Sequence, residues 1–465
     1  MPKQDVNPNR FYGREKELRL LKELALDVQE KGISRFVVLT GRRRIGKTRL
    51  ILEAFPTSDS MPRIYLFVAS QLAESNLRDL NREIQEALNL PFPLAIQSYK
   101  DALRLIFKEA EKRPICLVLD EFQNFEAVDP TVFDSLQELW DRNHVKSKIL
   151  LITCGSIASS MRKIFEDGKA PLFARENAFI RLDPFDIGLL KRIFSDYKSD
   201  FSGEDLLALY ALTGGVAQYV QTLLTSGATT LDAMLKHSLL FSSGFTAEAQ
   251  LMIAAEFKAN AAHMNEILMA ISQGKNKRTE LTSLFDFNIS GHLSQLENLY
   301  GLIERTEPVA ENGAKRKRIR YELGDALLDF WYTFCLPNLK MLQAPNTTAL
   351  CREIQARYPT WAGRVLERLY RHYFRTLGLF TAVGPWWDKK GNHEIDLVAL
   401  NKTTKEIVFA EVKLNSEKIH LEELKEKSEA FFSYNPQFAS FKRSYLALST
   451  KELGPSGVLP FSDAI

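Results

Sequence analysis

Two groups of residues in this 465-residue sequence have the types and spacing to do chemistry. The first is Gly41, Gly46, Lys47 and Thr48, in the spacing GxxxxGK[ST]. Two glycines let a backbone turn its N–H groups inward around phosphate oxygens. Lys47 would reach the β- and γ-phosphates, Thr48 would ligate Mg²⁺, and a helix starting there adds its dipole. The second is Asp396 with Glu411 and Lys413, a D…ExK pattern. Two carboxylates and the Val412 carbonyl suit a hard divalent cation with open positions. The metal would activate a water, and Lys413 would orient it or offset charge developing on a phosphate.

The elements that must position these residues are legible as apolar runs. Residues 35–40 are apolar and β-branched, bounded by Gly41, and read as a buried parallel strand. Residues 48–55 read as the following helix, which is the context a phosphate loop requires. A second strand-like run, 115–119, ends in Asp120-Glu121. Asp120 would hold Mg²⁺ through water, and Glu121 is placed to polarise the attacking water. A third run, 148–154, ends in Gly155-Ser156, so Thr153 or Ser156 could sense the γ-phosphate. A serine capping the next helix explains Ser156 equally well.

Strand-like runs at 394–400 and 407–413, joined by the polar turn 401–405, carry the second group. Alternation puts Glu411 and Lys413 on one face, and the turn pairs Asp396 with about position 410. Charges also decorate ordinary edge hairpins. Here they interrupt otherwise apolar strands, where unpaired charge is costly.

Between these groups the chain is helical. Leu206, Leu207, Leu209, Tyr210, Val220, Leu223 and Leu224 recur at helix spacing over 186–255. Residues 266–271, 278–284 and 290–300 read as three helices, followed by strands at 302–309 and 319–323. Three helices and a hairpin make a winged helix. Its wing loop holds Lys315, Arg316, Lys317 and Arg318, a candidate for DNA phosphates. Ser290, His292, Ser294 and Gln295 would face a groove, without an arginine among them, so a packing module is the competing reading. Residues 337–349, with two prolines and an Asn-Thr-Thr run, read as linker, then 361–374 as a helix containing Glu367 and 421–432 as another.

Composition sets bounds. At about 150 residues per domain, the length suggests about three domains. The chain is 45% hydrophobic and 26% charged, with 61 basic against 58 acidic residues, so any nucleic-acid footprint must be local. The polar start of the chain argues against a signal peptide, and no apolar run is long enough to span a bilayer. Cys116, Cys154, Cys335 and Cys351 are isolated, and the seven histidines lack ligand spacing, which argues against zinc. The cytoplasm is the expected location.

The sequence resembles the archaeal-type ATPase family, AAA+/STAND-like P-loop proteins. The resemblance rests on 11–18 (FYGREKEL), the Arg-rich loop 41–48, 120–123 (DEFQ) and 170–175 (APLFAR). It implies that the segment around Arg14 lies against the nucleotide base. The family's PLYGR motif matches 171–175 with Phe173 for Tyr and Ala174 for Gly. Arg175 would then sense phosphate or form an interdomain salt bridge. Residues 213–219 resemble the lid motif TGGxPxY, with Ala217 where the family has Pro. The D…ExK set, with Trp386-Trp387-Asp388 before its first strand, resembles the PD-(D/E)xK restriction-endonuclease-like domain, and Glu367 matches that family's additional acidic residue.

The implied fold is α/β: a P-loop ATPase core (1–185), helical lid (186–255), winged helix (256–336), linker (337–355) and small PD-(D/E)xK nuclease-like domain (356–465). The implied cofactors are ATP and Mg²⁺, and the implied partners are DNA and a second copy of the chain, with no membrane. The implied activity couples nucleotide state to DNA binding and cleavage. The alternative is an ATP-switched DNA-binding or STAND-type regulatory protein whose nuclease-like domain is inactive.

Overall fold

The computed structural model describes residues 10–56, 60–70, 72–156, 158–240, 247–251, 261–310, 318–344 and 346–464. The chain divides into two compact units: Gly13–Asp183, and Pro184–Ile465 together with the residues before Gly13.

The first unit is a five-stranded sheet. Its strands are β1 (Arg35–Thr40), β2 (Arg63–Phe67), β3 (Ile115–Asp120), β4 (Ile149–Gly155) and β5 (Ala178–Arg181). The order is β2-β3-β4-β1-β5, and every pairing is parallel. The three central strands are buried along nearly their whole length, which is why they read as unbroken apolar runs. Edge strand β2 alternates, with Ile64 and Leu66 in the core and Arg63 and Tyr65 partly exposed. Helices α1 (Glu15–Glu30), α2 (Lys47–Ala54), α3 (Ala73–Leu88), α4 (Tyr99–Ala110), α5 (Phe125–Val128), α6 (Thr131–Asn143) and α7 (Ala158–Phe165) complete the unit. α3, α4 and α6 supply Leu77, Leu80, Ile84, Leu103, Ile106 and Leu136 to one apolar cluster with β1–β4. The topology inserts β4 between the strand that feeds the glycine loop and the strand that ends in Asp120.

In the second unit, helices Ile187–Tyr197, Gly203–Thr213, Ala217–Thr225 and Leu231–Leu239 come first. Gly203–Thr213 is capped by a Ser202/Asp205 box and buries seven of its eleven residues. It stops at Gly214 and Gly215, both at positive φ. A Cβ on Gly215 would lie 2.3 Å from the Phe185 carbonyl oxygen, so only glycine fits there.

Helices Ala261–Ser272, Arg278–Leu284 and Ile289–Ser294 then lead into an antiparallel pair, β6 (Ile303–Thr306) and β7 (Arg320–Leu323). Lys315, Arg316 and Lys317 lie outside the described residues. The last sheet has the order β11-β10-β9-β8, from β8 (Ala382–Trp387), β9 (Glu394–Asn401), β10 (Glu406–Val412) and β11 (Lys442–Leu448). Helix Leu421–Tyr434 forms the crossover that makes β10 and β11 parallel.

Two expectations are corrected here. The linker expected over 337–355 is largely helical: Leu339–Leu342 is one helix, and Thr348–Thr376 is another of 29 residues that already contains Glu367. Pro359 sits inside it, and a proline normally ends a helix. Leu350, Ile354, Tyr358, Trp361, Val365, Leu366 and Leu369 are all buried, and this apolar stripe carries the helix through. Trp386 and Trp387, expected before the first strand, belong to β8, which itself pairs with β9. Among the described residues, no helix is long and apolar enough to cross a membrane.

Ala217 occupies the first turn of its helix, where proline's fixed φ costs nothing. Ala217→Pro is therefore expected to raise stability by about 0.4–1 kcal/mol, read as a higher urea midpoint.

Candidate nucleotide site and C-terminal carboxylate site

The glycine loop is held open by left-handed backbone at Arg44 and Gly46, with φ of 66° and 101°. A Cβ on Gly41 would meet the Leu182 carbonyl at 2.9 Å and Ile45 at 3.0 Å. Gly46 is the N-cap of α2, so the amides of Lys47 and Thr48 open the helix towards the loop. Lys47 is 6% exposed, and its Nζ donates to the carbonyls of Gly41 (2.8 Å) and Arg42 (3.2 Å). Burial lowers its pKa, and the charges of Glu121 and Asp120 oppose that shift.

Asp120, at the end of β3, is 3% exposed and fully engaged. Its Oδ1 accepts from the Glu121 amide at 2.9 Å, and its Oδ2 from Thr48 Oγ1 at 3.1 Å. Oδ2 also accepts from the phenol of Tyr65, a residue that sequence reading missed. Thr48 and Asp120, the predicted magnesium pair, are thus brought together.

Glu121 adopts left-handed backbone (φ 52°) and lies directly after Asp120. Its Oε2 accepts from Ser156 Oγ at 2.7 Å and from Gln123 Nε2. Of the two sensor candidates, Ser156 holds Glu121, whereas the Thr153 hydroxyl is buried on β4 without a partner. The orphaned hydroxyl, the glycine cradle and the Thr48–Asp120 pair all fit a magnesium–nucleotide complex. When bound, Mg²⁺ supplies charge neutralisation between the phosphates. Lys47 would then bind the phosphates, Asp120 and Thr48 would orient the metal's ligands, and Glu121 would take the proton of the attacking water at its carboxylate.

Arg175 forks onto Asp141 through Nε and Nη2, both at 2.9 Å, and this pair lies within one unit rather than between domains. Ala174, in place of the family's glycine, keeps a positive φ of 56°. Arg14, itself left-handed at φ 69°, donates to the Asp183 carbonyl at 2.6 Å.

In the second unit, the register sets Leu397 opposite Ala410, one residue from the expected pairing, which brings Asp396 across from Glu411. Asp396 Oδ2 accepts from the Val412 amide at 2.9 Å and from Lys413 Nζ at 3.0 Å. Lys413 Nζ also lies 2.9 Å from Glu411, and Lys427 meets the other Glu411 oxygen at 3.1 Å. Burial raises the Asp396 pKa, reinforced by Glu411. Burial works against the Lys413 ammonium, but the two carboxylates outweigh it and raise its pKa.

Glu367 projects from the long helix towards this set. Burial and then the Asp396 charge push its carboxyl up to about 8, although 31% of the side chain is exposed. Its nearest cation, Arg371 at 3.6 Å, is drawn 2.7 Å from Glu322 of β7, a carboxylate that sequence reading also missed. Among the described residues, no group of three or more His, Cys, Asp or Glu side chains is gathered as a metal site.

The described part of the segment expected to form a wing is engaged with β8 and β9. Arg318, expected to meet phosphate, donates to the Trp387 carbonyl. Arg320 forks onto Glu394 (2.6 and 3.2 Å) and stacks 4.0 Å from the Trp387 ring. Ser290, a groove candidate, accepts from Arg278 at 2.9 Å.

A glycine cradle, a strand-end Asp-Glu pair and one intervening parallel strand define a P-loop ATPase. Residues 11–223 match a family model described as an ATPase domain predominantly from Archaea. Residues 331–428 match one described as "Archaea bacterial proteins of unknown function". An uncharacterized protein of Methanocaldococcus jannaschii is 28% identical over 412 residues, 87% of each chain. The Walker-type ATPase Paby2304 of Pyrococcus abyssi shares the fold with a TM-score of 0.52 at 17% identity, covering 71% of this chain and 99% of that one. The ORC2 protein of Aeropyrum pernix, solved as ADPNP–ADP complexes, is 13% identical with a TM-score of 0.47, covering 76% and 98%.

Two measurements follow from this geometry. Ser156→Ala frees one side of the Glu121 carboxylate and is expected to lower kcat for ATP hydrolysis about tenfold while leaving KM unchanged. At the C-terminal site the Glu367 pKa is raised from 4.5 to about 8, so ionisation opposes folding. The stability tied to its proton is complete below 4.5 and is lost as pH rises through about 8. In EDTA, melting temperature should therefore fall more steeply between these values in wild type than in Glu367→Gln.

Proposed function

We propose that this ATPase couples its nucleotide state to metal-dependent DNA cleavage at the C-terminal carboxylates. The observation that carries the reading is the convergence of Asp396, Glu411 and Lys413 within 3.0 Å contacts at the ends of neighbouring strands, beside a Glu367 that keeps its proton near neutrality. Asp396 and Glu411 would hold Mg²⁺ together with the Val412 carbonyl, and Lys413 would turn from the carboxylates to the scissile phosphate. Glu367, on the long helix, is placed to exchange a proton with water at this site. Lys47, Thr48 and Asp120 would hold Mg²⁺–ATP, with Glu121 as the hydrolytic base.

One observation favours a second reading, an ATP-switched DNA-binding or regulatory protein that does not cut. The ammonium groups of Lys413 and Lys427 both sit on Glu411, where a metal would otherwise be. In that case cations of the chain itself satisfy the carboxylates permanently.

Strand scission of linear, circular and single-stranded DNA with Mg²⁺ or Mn²⁺, with and without ATP, separates the two. The proposal expects cutting that Asp396→Ala reduces to background and that Lys47→Ala uncouples from ATP. DNA retained without scission, and indifferent to Asp396→Ala, would select the second reading.

A further inference from the structure

We propose that Tyr65 is a positioning residue of the nucleotide site, its phenol fixing the Asp120 carboxylate in the orientation that Mg²⁺ requires. This inference rests on the nucleotide site alone and is independent of what the C-terminal carboxylates do.

Tyr65 lies on edge strand β2, paired in parallel register with Val118 of β3, two residues before Asp120. Its strand neighbours Ile64 and Leu66 face the apolar cluster, so alternation turns Tyr65 to the opposite face. There its hydroxyl donates to Asp120 Oδ2, the same oxygen that accepts from Thr48 Oγ1. Oδ1 is held separately by the Glu121 amide. A strand-end carboxylate has free rotation about its side-chain bonds, and a metal ligand must not. With an amide on one oxygen and a phenol on the other, both the rotamer and the plane of Asp120 are set. The remaining direction at Oδ2 is the one occupied by the Thr48 hydroxyl, the other predicted magnesium ligand. Partners of this kind, which orient a ligand without touching the metal, typically govern affinity by about 10- to 100-fold.

A merely structural tyrosine would fill space and satisfy a buried oxygen. The two roles separate in Tyr65→Phe, which keeps the ring and its packing but removes the donor. The assay follows binding of mant-ATP by fluorescence while MgCl₂ is titrated, with a parallel titration of nucleotide in EDTA. The expected result is an about tenfold rise in the MgCl₂ concentration for half-maximal binding, with metal-free affinity unchanged. The unchanged EDTA arm also reports that the site is folded. An unaltered MgCl₂ requirement would overturn the proposal. So would a loss of affinity equal in both arms, because that marks a packing residue. Failure of wild type to bind mant-ATP in either arm would overturn the nucleotide site and the proposal with it.

Discussion

A carboxylate buried at the end of a strand must have every lone pair answered, and in the first unit that requirement falls on Asp120. Its partners come from three separate elements: the next residue of its own chain, Thr48 at the start of α2, and Tyr65 on β2. The glycine loop, the edge strand and the turn after β3 are therefore tied at one point. Placing β4 between β1 and β3 leaves room beside that point for Ser156, which in turn fixes Glu121. Left-handed backbone at Arg44, in the glycine loop, and at Glu121, in the turn after β3, falls within these same two segments.

The second unit satisfies its charges differently. Asp396, Glu411 and Lys413 neutralise one another, and Lys427 adds a second cation. The β6–β7 pair contributes to this neighbourhood. Glu322 of β7 takes Arg371 away from Glu367, and Arg320 reaches Glu394 at the start of β9. Val309 joins the apolar cluster of the last sheet and donates its amide to the Pro385 carbonyl. The β6–β7 pair and the sheet are thus joined by side-chain contacts, so a change on β7 would be felt at Glu367.

The ATPase elements were legible in the sequence because each depends on local rules. A doubly covered parallel strand must be apolar throughout, and a phosphate loop needs glycines where φ is positive. The boundaries of β1, β3, β4 and α2 accordingly fall within a residue or two of expectation. Tyr65 and Glu322 left no such trace, because their roles arise from pairing between strands distant in sequence. The start of the long helix was hidden by Pro359, whose local preference is overruled by the buried stripe from Leu350 to Leu369. Strand β8 carries Gly384 and Pro385, residue types that weaken a strand pattern, and the structure accommodates them in an irregularity of the β8–β9 register.

The most direct test of the account is to separate binding from hydrolysis at Glu121. Glu121→Gln keeps the shape of the side chain but removes the carboxylate proposed to accept the proton. The account predicts unchanged Mg²⁺–ATP affinity with a turnover at least about 100-fold below wild type. Hydrolysis at the wild-type rate, or binding and hydrolysis lost together, would contradict the assignment of Glu121 as the base that Asp120, Ser156 and β4 are arranged to hold.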